Sequence, residues 1–362
     1  MIKNLLKISQ QYTAKQMRTG KDITPVQPFE EASPTKRPFS NKVSDAHQTY
    51  PVKLTFKNVC MEVSSFQFVN GPDNQKVKTL IKHKILKGVS GLALPGQTTY
   101  IMGSSGAGKT SLLNILSDRI SKRNGTNIEG TVNINDTIPL NDKVFGDFAA
   151  YVMQDDILYE FLTPREALIF AARLKLGGDE DQKLQRVNEV LEELGLISQQ
   201  NTLIGSVKMK TLSGGERKRV AIGVEMITNP SLLLLDEPTS GLDSFKALSI
   251  VKLLDKQAKK GKTVIATLHQ PSSEAFKTFD RLILMVDGNI AFQGKASESV
   301  SHFARIGFNC PIHSNPADFF MKILSVNYPK TEEDEKVIKT LVNGYDTKYS
   351  TKNFVLVRRK HN

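Results

Sequence analysis

The sequence predicts an α/β fold with a mainly parallel sheet covered by helices on both faces. Three observations carry this. Apolar runs as short as buried strands recur at Thr98–Met102, Ala149–Met153, Leu232–Leu235, Val264–Thr267, Leu282–Val286 and Ile290–Gln293. Helical stretches separate most of them, as crossovers between parallel strands require. Two of the runs lead directly into polar clusters, and ligands of open α/β sheets bind at the carboxyl ends of strands.

Residues 1–50 are polar, carry Pro25, Pro28, Pro34 and Pro38, and show no hydrophobic period, so a flexible leader is expected. Residues 1–21 are basic and lack acids, which fits either a disordered tail or a basic presequence. The pattern changes at Pro51. Leu54, Phe56, Val59 and Met61 read as a strand and its continuation. Segment 64–84 is lysine-rich and contains Asn70-Gly71-Pro72, a loop or hairpin. Thr98–Met102 runs into a glycine-rich turn and then the helical stretch Lys109–Ser117, and Val132–Asn135 reads as a further strand. Residues 164–196 read as helical, with Leu184, Val187, Leu191 and Leu194 on one face. Asp287-Gly288-Asn289 is a tight-turn sequence joining the last two strands. After about 325 the chain turns charged, with Glu332, Glu333, Asp334 and Glu335 in a cluster. The expected organisation is a leader over 1–50, one folded domain over 51–325, and a charged linker over 326–362.

Composition narrows the classes. Hydrophobic residues make up 39% of the 362, enough for a folded core. The formal net charge is +12, but no Lys/Arg block interleaves with aromatics, so nucleic acid is not an expected partner. A basic face beside an anionic membrane leaflet fits better. Cys60 and Cys310 lie far apart and form no metal or redox pair. No stretch approaches the ~20 apolar residues of a membrane helix, so the chain is not expected to cross a bilayer by itself.

Three segments carry chemistry. Gly103-Ser104-Ser105-Gly106-Ala107-Gly108-Lys109-Thr110 matches G-x-x-x-x-G-K-[ST]. Glycines let a backbone curve around a phosphate and turn its N–H groups inward, and the following helix adds its positive end. Lys109 can reach β- and γ-phosphates and Thr110 can hold Mg²⁺. Leu232–Leu235 then delivers Asp236 and Glu237 to a strand end. Phosphoryl transfer needs a carboxylate to organise Mg²⁺, expected of Asp236, and a group to orient the attacking water, expected of Glu237. Leu212-Ser213-Gly214-Gly215-Glu216 opens another helix with a second phosphate-binding sequence. Standing alone, it reads as an ordinary capped helix.

Together these residues resemble the ATP-binding cassette of ABC transporters. The resemblance implies a P-loop NTPase fold with a mainly parallel core sheet, a small antiparallel β subdomain and a helical signature subdomain. Leu212–Glu216 resembles the family signature, which usually ends in Gln but in Glu in one subfamily. It also implies that two cassettes, identical or not, pair head to tail and hold ATP between the glycine loop of one and Ser213, Gly214 and Gly215 of the other. By the same resemblance Gln154 is the glutamine that senses Mg²⁺ and the membrane partner, Asp243 touches the opposite cassette, and His269 contacts the γ-phosphate. Thr267–Ser272, Gly214–Arg219 and Asn315–Phe319 resemble the G (White-like) subfamily, whose members export lipids, sterols or xenobiotics. The similarity covers about residues 52–325. Where many cassettes stack adenine on an aromatic, this chain holds Val63, with Phe66 or Phe68 as substitutes. The membrane domain is expected downstream or on a partner subunit, with Phe354–Lys360 leading toward it. The cassette would lie at the cytosolic face of a membrane. A freestanding or truncated regulatory ATPase is the alternative. An importer subunit and other P-loop enzymes fit less well, because Asn315–Phe319 and the signature would go unexplained.

Overall fold

The computed structural model describes residues 50–70, 76–120, 125–205, 211–326 and 331–345. The expectations for the leader over 1–49 and for Phe354–Lys360 lie outside these residues.

Among the described residues, ten strands form two sheets. The first is antiparallel, in the order β2 (Lys76–Ala93), β1 (Leu54–Asn70), β4 (Thr126–Ile134), β5 (Ile138–Pro139). Segment 64–84, open between loop and hairpin in the sequence, is described over 64–70 and 76–84 as the outer part of the antiparallel β1–β2 pair, in register from Leu54↔Ala93 to Asn70↔Lys76, while Gly71-Pro72 lies outside the described residues. The second sheet has the order β10 (Asn289–Lys295), β9 (Arg281–Val286), β3 (Thr98–Gly103), β8 (Thr263–Thr267), β7 (Leu232–Leu235), β6 (Ala149–Val152). Its strands run parallel except β10, which returns antiparallel to β9. That return turns on Asp287 and Gly288 at φ 47° and 75°, the paired positive values of a tight hairpin.

The strands of the second sheet read as unbroken apolar runs because both faces are covered. Successive side chains alternate between two cores. Leu233 and Leu235 join one cluster with Tyr100 and Met102, whereas Leu232 and Leu234 join the other with Ile101, Ile265 and Ile283. Helix α1 (Lys109–Leu116) packs Leu112, Leu113 and Leu116 into the second cluster, beside Leu54 and Phe56 of the antiparallel sheet. The short α2 (Asp142–Phe148) precedes β6.

The stretch 164–196, read as one helical run, is two helices. They are α3 (Pro164–Lys175) and α4 (Glu180–Glu193), parted at Gly177-Gly178, with Asp179 capping the second. Val187, Leu191 and Leu194 are buried in the first cluster, as their spacing predicts. Helices α5 (Gly214–Met226) and α6 (Ser244–Lys259) are capped by Ser213 and Asp243. The short α7 (Ser273–Phe276) and α8 (Ser299–Arg305) follow, then α9 (Pro316–Ile323), which opens on Asn315. Part of the stretch taken as a charged linker is folded. Helix α10 (Glu332–Gly344) faces its acids outward and buries Ile338 and Leu341 in the first cluster. Among the described residues, no helix is long and apolar enough to cross a membrane.

Candidate nucleotide site

The glycine loop lies between the end of β3 and the start of α1, and two glycines fix its curve. A Cβ on Gly103 would sit 2.3 Å from the Met285 carbonyl oxygen. Gly108, at φ 96°, would place one 2.8 Å from Leu86 Cδ2 and 3.2 Å from the Ile85 oxygen. The end of β9 and the hairpin strand β2 therefore press the loop into a shape that a side chain would break. Inside the curve Lys109 is buried, and its ammonium donates to the carbonyls of Gly103 at 2.9 Å and Ser104 at 3.1 Å. Burial pushes its pKa below the usual lysine value, while the carboxylates of Glu237 and Asp236 pull it back up.

Strand β7 carries Asp236 to its end, where it is buried. Its Oδ1 accepts from Thr110 Oγ1 at 3.2 Å and from Thr267 Oγ1 at 2.7 Å, and its backbone N–H donates to the Val152 carbonyl at 3.0 Å. The carboxylate is thus held between α1 and the neighbouring strand β8. Glu237 has φ 42°, a left-handed conformation costing a non-glycine residue roughly 1–3 kcal/mol. Its N–H donates to Thr267 Oγ1 at 2.8 Å and its carbonyl accepts from Ser240 N–H at 3.0 Å. Gln154 Nε2 donates to Glu237 Oε2 at 3.2 Å. Behind this group the Tyr151 hydroxyl donates to Asn114 Oδ1 at 2.8 Å, tying β6 to α1. Burial, with Asp236 nearby, raises its pKa well above the ordinary phenol value.

The structure therefore brings Lys109, Thr110, Gln154, Asp236 and Glu237 together, and His269 follows β8, exposed, two residues after Thr267. Thr267, which the sequence reading gave no role, links the two acids. Its only local signal was a hydroxyl where the buried strand meets its polar end.

Ser213, Gly214, Gly215 and Asp243 occupy another surface. Ser213 and Glu216 cap one another, with Ser213 N–H donating to Glu216 Oε2 at 2.7 Å. A Cβ on Gly214 would meet Leu242 Cδ2 at 3.2 Å, and one on Gly215 would meet Lys246 Cβ at 3.3 Å. Asp243 accepts from Lys246 N–H at 2.9 Å and pairs with its ammonium at 2.7 Å. Among the aromatic candidates for adenine, Phe66 is 64% exposed on β1 with the Lys78 ammonium 4.5 Å above its ring. Val63 lies opposite His83 and Thr126, and Phe68 opposite Lys78.

A glycine loop feeding a helix, a buried aspartate at the end of the next strand but one and a glutamate beside it define a P-loop ATPase. Residues 86–240 match the ABC transporter family, and residues 269–357 match the ABC-2 type transporter family. Over 249 residues the chain is 49% identical to Protein white of Ceratitis capitata, covering 68% of this chain and 36% of that protein. It is 48% identical over 248 residues to Protein white of Drosophila melanogaster, with the same coverages. It is 44% identical over 284 residues to ABC transporter G family member 22 of Arabidopsis thaliana, 78% of this chain and 36% of that protein. The chain carries the ATP-binding, ATP-hydrolysing cassette of the ABC transporter family, White-like G group, and spans about a third of the length of these relatives. The second match corrects the expectation of a membrane domain only downstream or on a partner subunit, because similarity to the ABC-2 type transporter family already begins within this chain, at residue 269, and runs to residue 357.

Proposed function

We propose that this chain is the motor of a G-type transporter, in which two cassettes close head to tail on ATP and hydrolysis drives a membrane domain. One observation carries the pairing. The chain has two sequences of phosphate-binding type, at 103–110 before α1 and at 213–215 before α5, with no contact between them among the hydrogen bonds described, and the second is packed on Leu242 and Lys246. This supports a reading in which each is complemented by another cassette, whether a second copy or a related chain.

In this reading Gly103, Ser104, Ser105, Gly106, Ala107 and Gly108 cradle the phosphates, and Lys109 turns from the loop carbonyls to the β- and γ-phosphates. The hydroxyl of Thr110, the carboxylate of Asp236 and the amide oxygen of Gln154 are hard oxygen donors, suited to Mg²⁺. Among the described residues no cluster of three His, Cys, Asp or Glu could cage a cation by itself, which fits an ion completed by nucleotide phosphates. Bound there, Mg²⁺ would neutralise charge developing on the β/γ bridge. Glu237, held in its strained conformation by Thr267, accepts a proton from the attacking water and aims it. His269 steadies the γ-phosphate, and Ser213 and Gly215 of the opposite cassette add donors that cost no reorganisation at the moment of reaction. Asp243 lies at the same junction.

The output surface is apolar. Ile157 and Phe161 are 78% and 74% exposed, and Tyr159, Phe170 and Leu174 are exposed beside them on the segment after Gln154. Exposed apolar residues so close in sequence mark a docking site, here for a membrane domain at the cytosolic face. The domain limits of this reading are a leader over 1–50 and a cassette that begins at 51 and, beyond the expected limit of 325, takes α10 into its core before the connection toward a membrane domain. The cargo class is a lipid, sterol or apolar xenobiotic.

Glu237→Gln tests the core of this reading. The variant should bind ATP, hydrolyse it at least about 100-fold more slowly, and accumulate as a closed pair on size-exclusion chromatography. Turnover at the native rate would remove Glu237 from its role.

A further inference from the structure

Lys218 lies on α5, five residues after the cap Ser213, and its side chain is only 3% exposed. A lysine this buried needs compensation for its lost hydration. It finds two partners, both on the segment following β6. Its ammonium donates to the backbone carbonyl of Gln154 at 2.8 Å and pairs with Asp156 Oδ1 at 2.7 Å. Gln154 is the residue whose amide touches Glu237 at 3.2 Å. A chain of direct contacts therefore runs from Glu237 through Gln154 to Lys218 and along one turn of helix to Ser213. Its first end belongs to the chain's own nucleotide site. Its last end, on the paired reading, serves the site completed by the opposite cassette.

We propose that Lys218 is a positioning residue that couples the two nucleotide sites. It sets the pitch of α5, and so the placing of Ser213 and Gly215, according to where the Gln154 backbone lies. Other polar attachments of α5 lie away from the nucleotide site: Arg219 donates to Ser249 Oγ at 3.2 Å, Lys175 reaches Glu225 at 2.9 Å, and Arg186 donates to the Met226 carbonyl at 2.9 Å. Among these polar attachments Lys218 joins α5 to the segment that carries Gln154, beside the apolar packing of Val220 and Ile222 with Ala150 and Val152 of β6. When Gln154 shifts on binding or release at its own site, the ammonium carries that shift into the helix. Coupling needs an element whose position both sites bias, and α5 is that element.

This inference rests on the paired reading, and the experiment separates the two. Lys218→Met keeps an unbranched apolar stem, one atom shorter, but cannot donate. In the full-length protein, nucleotide affinity should stay within about twofold, because no phosphate contact is lost. The maximal ATPase rate should fall about tenfold, within the usual range of coupling energies, and the Hill coefficient for ATP should drop toward one. A purely structural role would lower affinity, rate and melting temperature together and leave the Hill coefficient in place. Native rate and native cooperativity in Lys218→Met would overturn the proposal, as would that parallel loss. Ser213→Ala is the control. If it abolishes turnover while Lys218→Met is unaffected, the coupling role fails and pairing stands. If Ser213→Ala turns over normally, pairing itself fails. Should Lys218→Met not fold, Asp156→Asn removes the counter-charge while keeping the side-chain shape. A rate loss of at least about threefold with reduced cooperativity then supports the link, because the pair is largely buried and the lysine keeps only the Gln154 carbonyl as a partner. Native values for Asp156→Asn overturn it.

Discussion

Replacing Thr267 with valine removes one oxygen atom from the end of β8 and leaves a side chain of nearly the same shape. Two hydrogen bonds meet at that oxygen, and the site is fully buried. The hydroxyl donates to Asp236 Oδ1, and a bond to a charged acceptor is worth roughly 1.5–3 kcal/mol. It also accepts from Glu237 N–H, and a donor left without a partner costs roughly 1–3 kcal/mol. These terms overlap, because the two acids can relax together, so the expected loss is about 3 kcal/mol. For a domain of this size that is roughly 6–12 °C in the melting midpoint. Thr267→Ser keeps the hydroxyl and loses only a methyl group, about 1 kcal/mol or roughly 2–4 °C. Thermal unfolding of the two variants followed by circular dichroism makes the comparison. If valine melts within about 2 °C of the native protein, or serine does as badly as valine, the hydroxyl does not hold the acids in place.

Lys262 is 2% exposed, its Nζ lacks a hydrogen-bond partner, and burial lowers its pKa to about 7. The unfolded chain keeps that proton to near 10.5, so between these values the unfolded state binds more protons and stability rises with pH. Relative to Lys262→Met, the native protein should gain on the order of 2 kcal/mol from pH 7 to 9, read from urea unfolding at each pH. Gly108→Ala forces a left-handed conformation and a 2.8 Å contact with Leu86, so it should cost about 2 kcal/mol and abolish ATP binding in a filter assay. Leu341→Ala opens a cavity under α10 at a fully buried position and should cost about 2–5 kcal/mol in urea unfolding. A loss under 0.5 kcal/mol there would mean that α10 is not part of the core.

What could be read in the sequence was whatever the chain decides locally. Glycine spacing with a strand before it and a helix after it marked residues 103–110. Four leucines ending in two acids marked β7, and Asp287-Gly288 marked a return between two apolar runs. The outer part of β1 and β2 was ambiguous because residues 78–84 are mostly exposed and 64–66 at best half-buried, so neither face imposes an alternation of polarity. The break between α3 and α4 did have a signal, Gly177-Gly178 before the capping Asp179, but the continuous apolar face masked it. Helix α10 looked like a linker because acids fill its first turn, where they suit the helix dipole and conceal two buried positions. Contacts across 83, 64 and 31 residues, namely Gln154–Glu237, Lys218–Gln154 and Thr267–Asp236, leave no local trace. Only the assembled sheet makes them neighbours.

The first core cluster runs without interruption from α3, α4 and α5 through Leu233 and Leu235 of the sheet to Leu254 of α6 and Leu341 of α10. Helices that share a close-packed interior with the sheet cannot swing out as a lid on a hinge, because that would open a void along its whole length. The movement left to them is shear, in which packed helices slide past one another by an ångström or two with their rotamers kept. Such a stroke is short and stiff, and its reach comes from leverage. A small tilt of α3 and α4 at the sheet becomes a larger displacement at Ile157 and Phe161, where the next body would take it up.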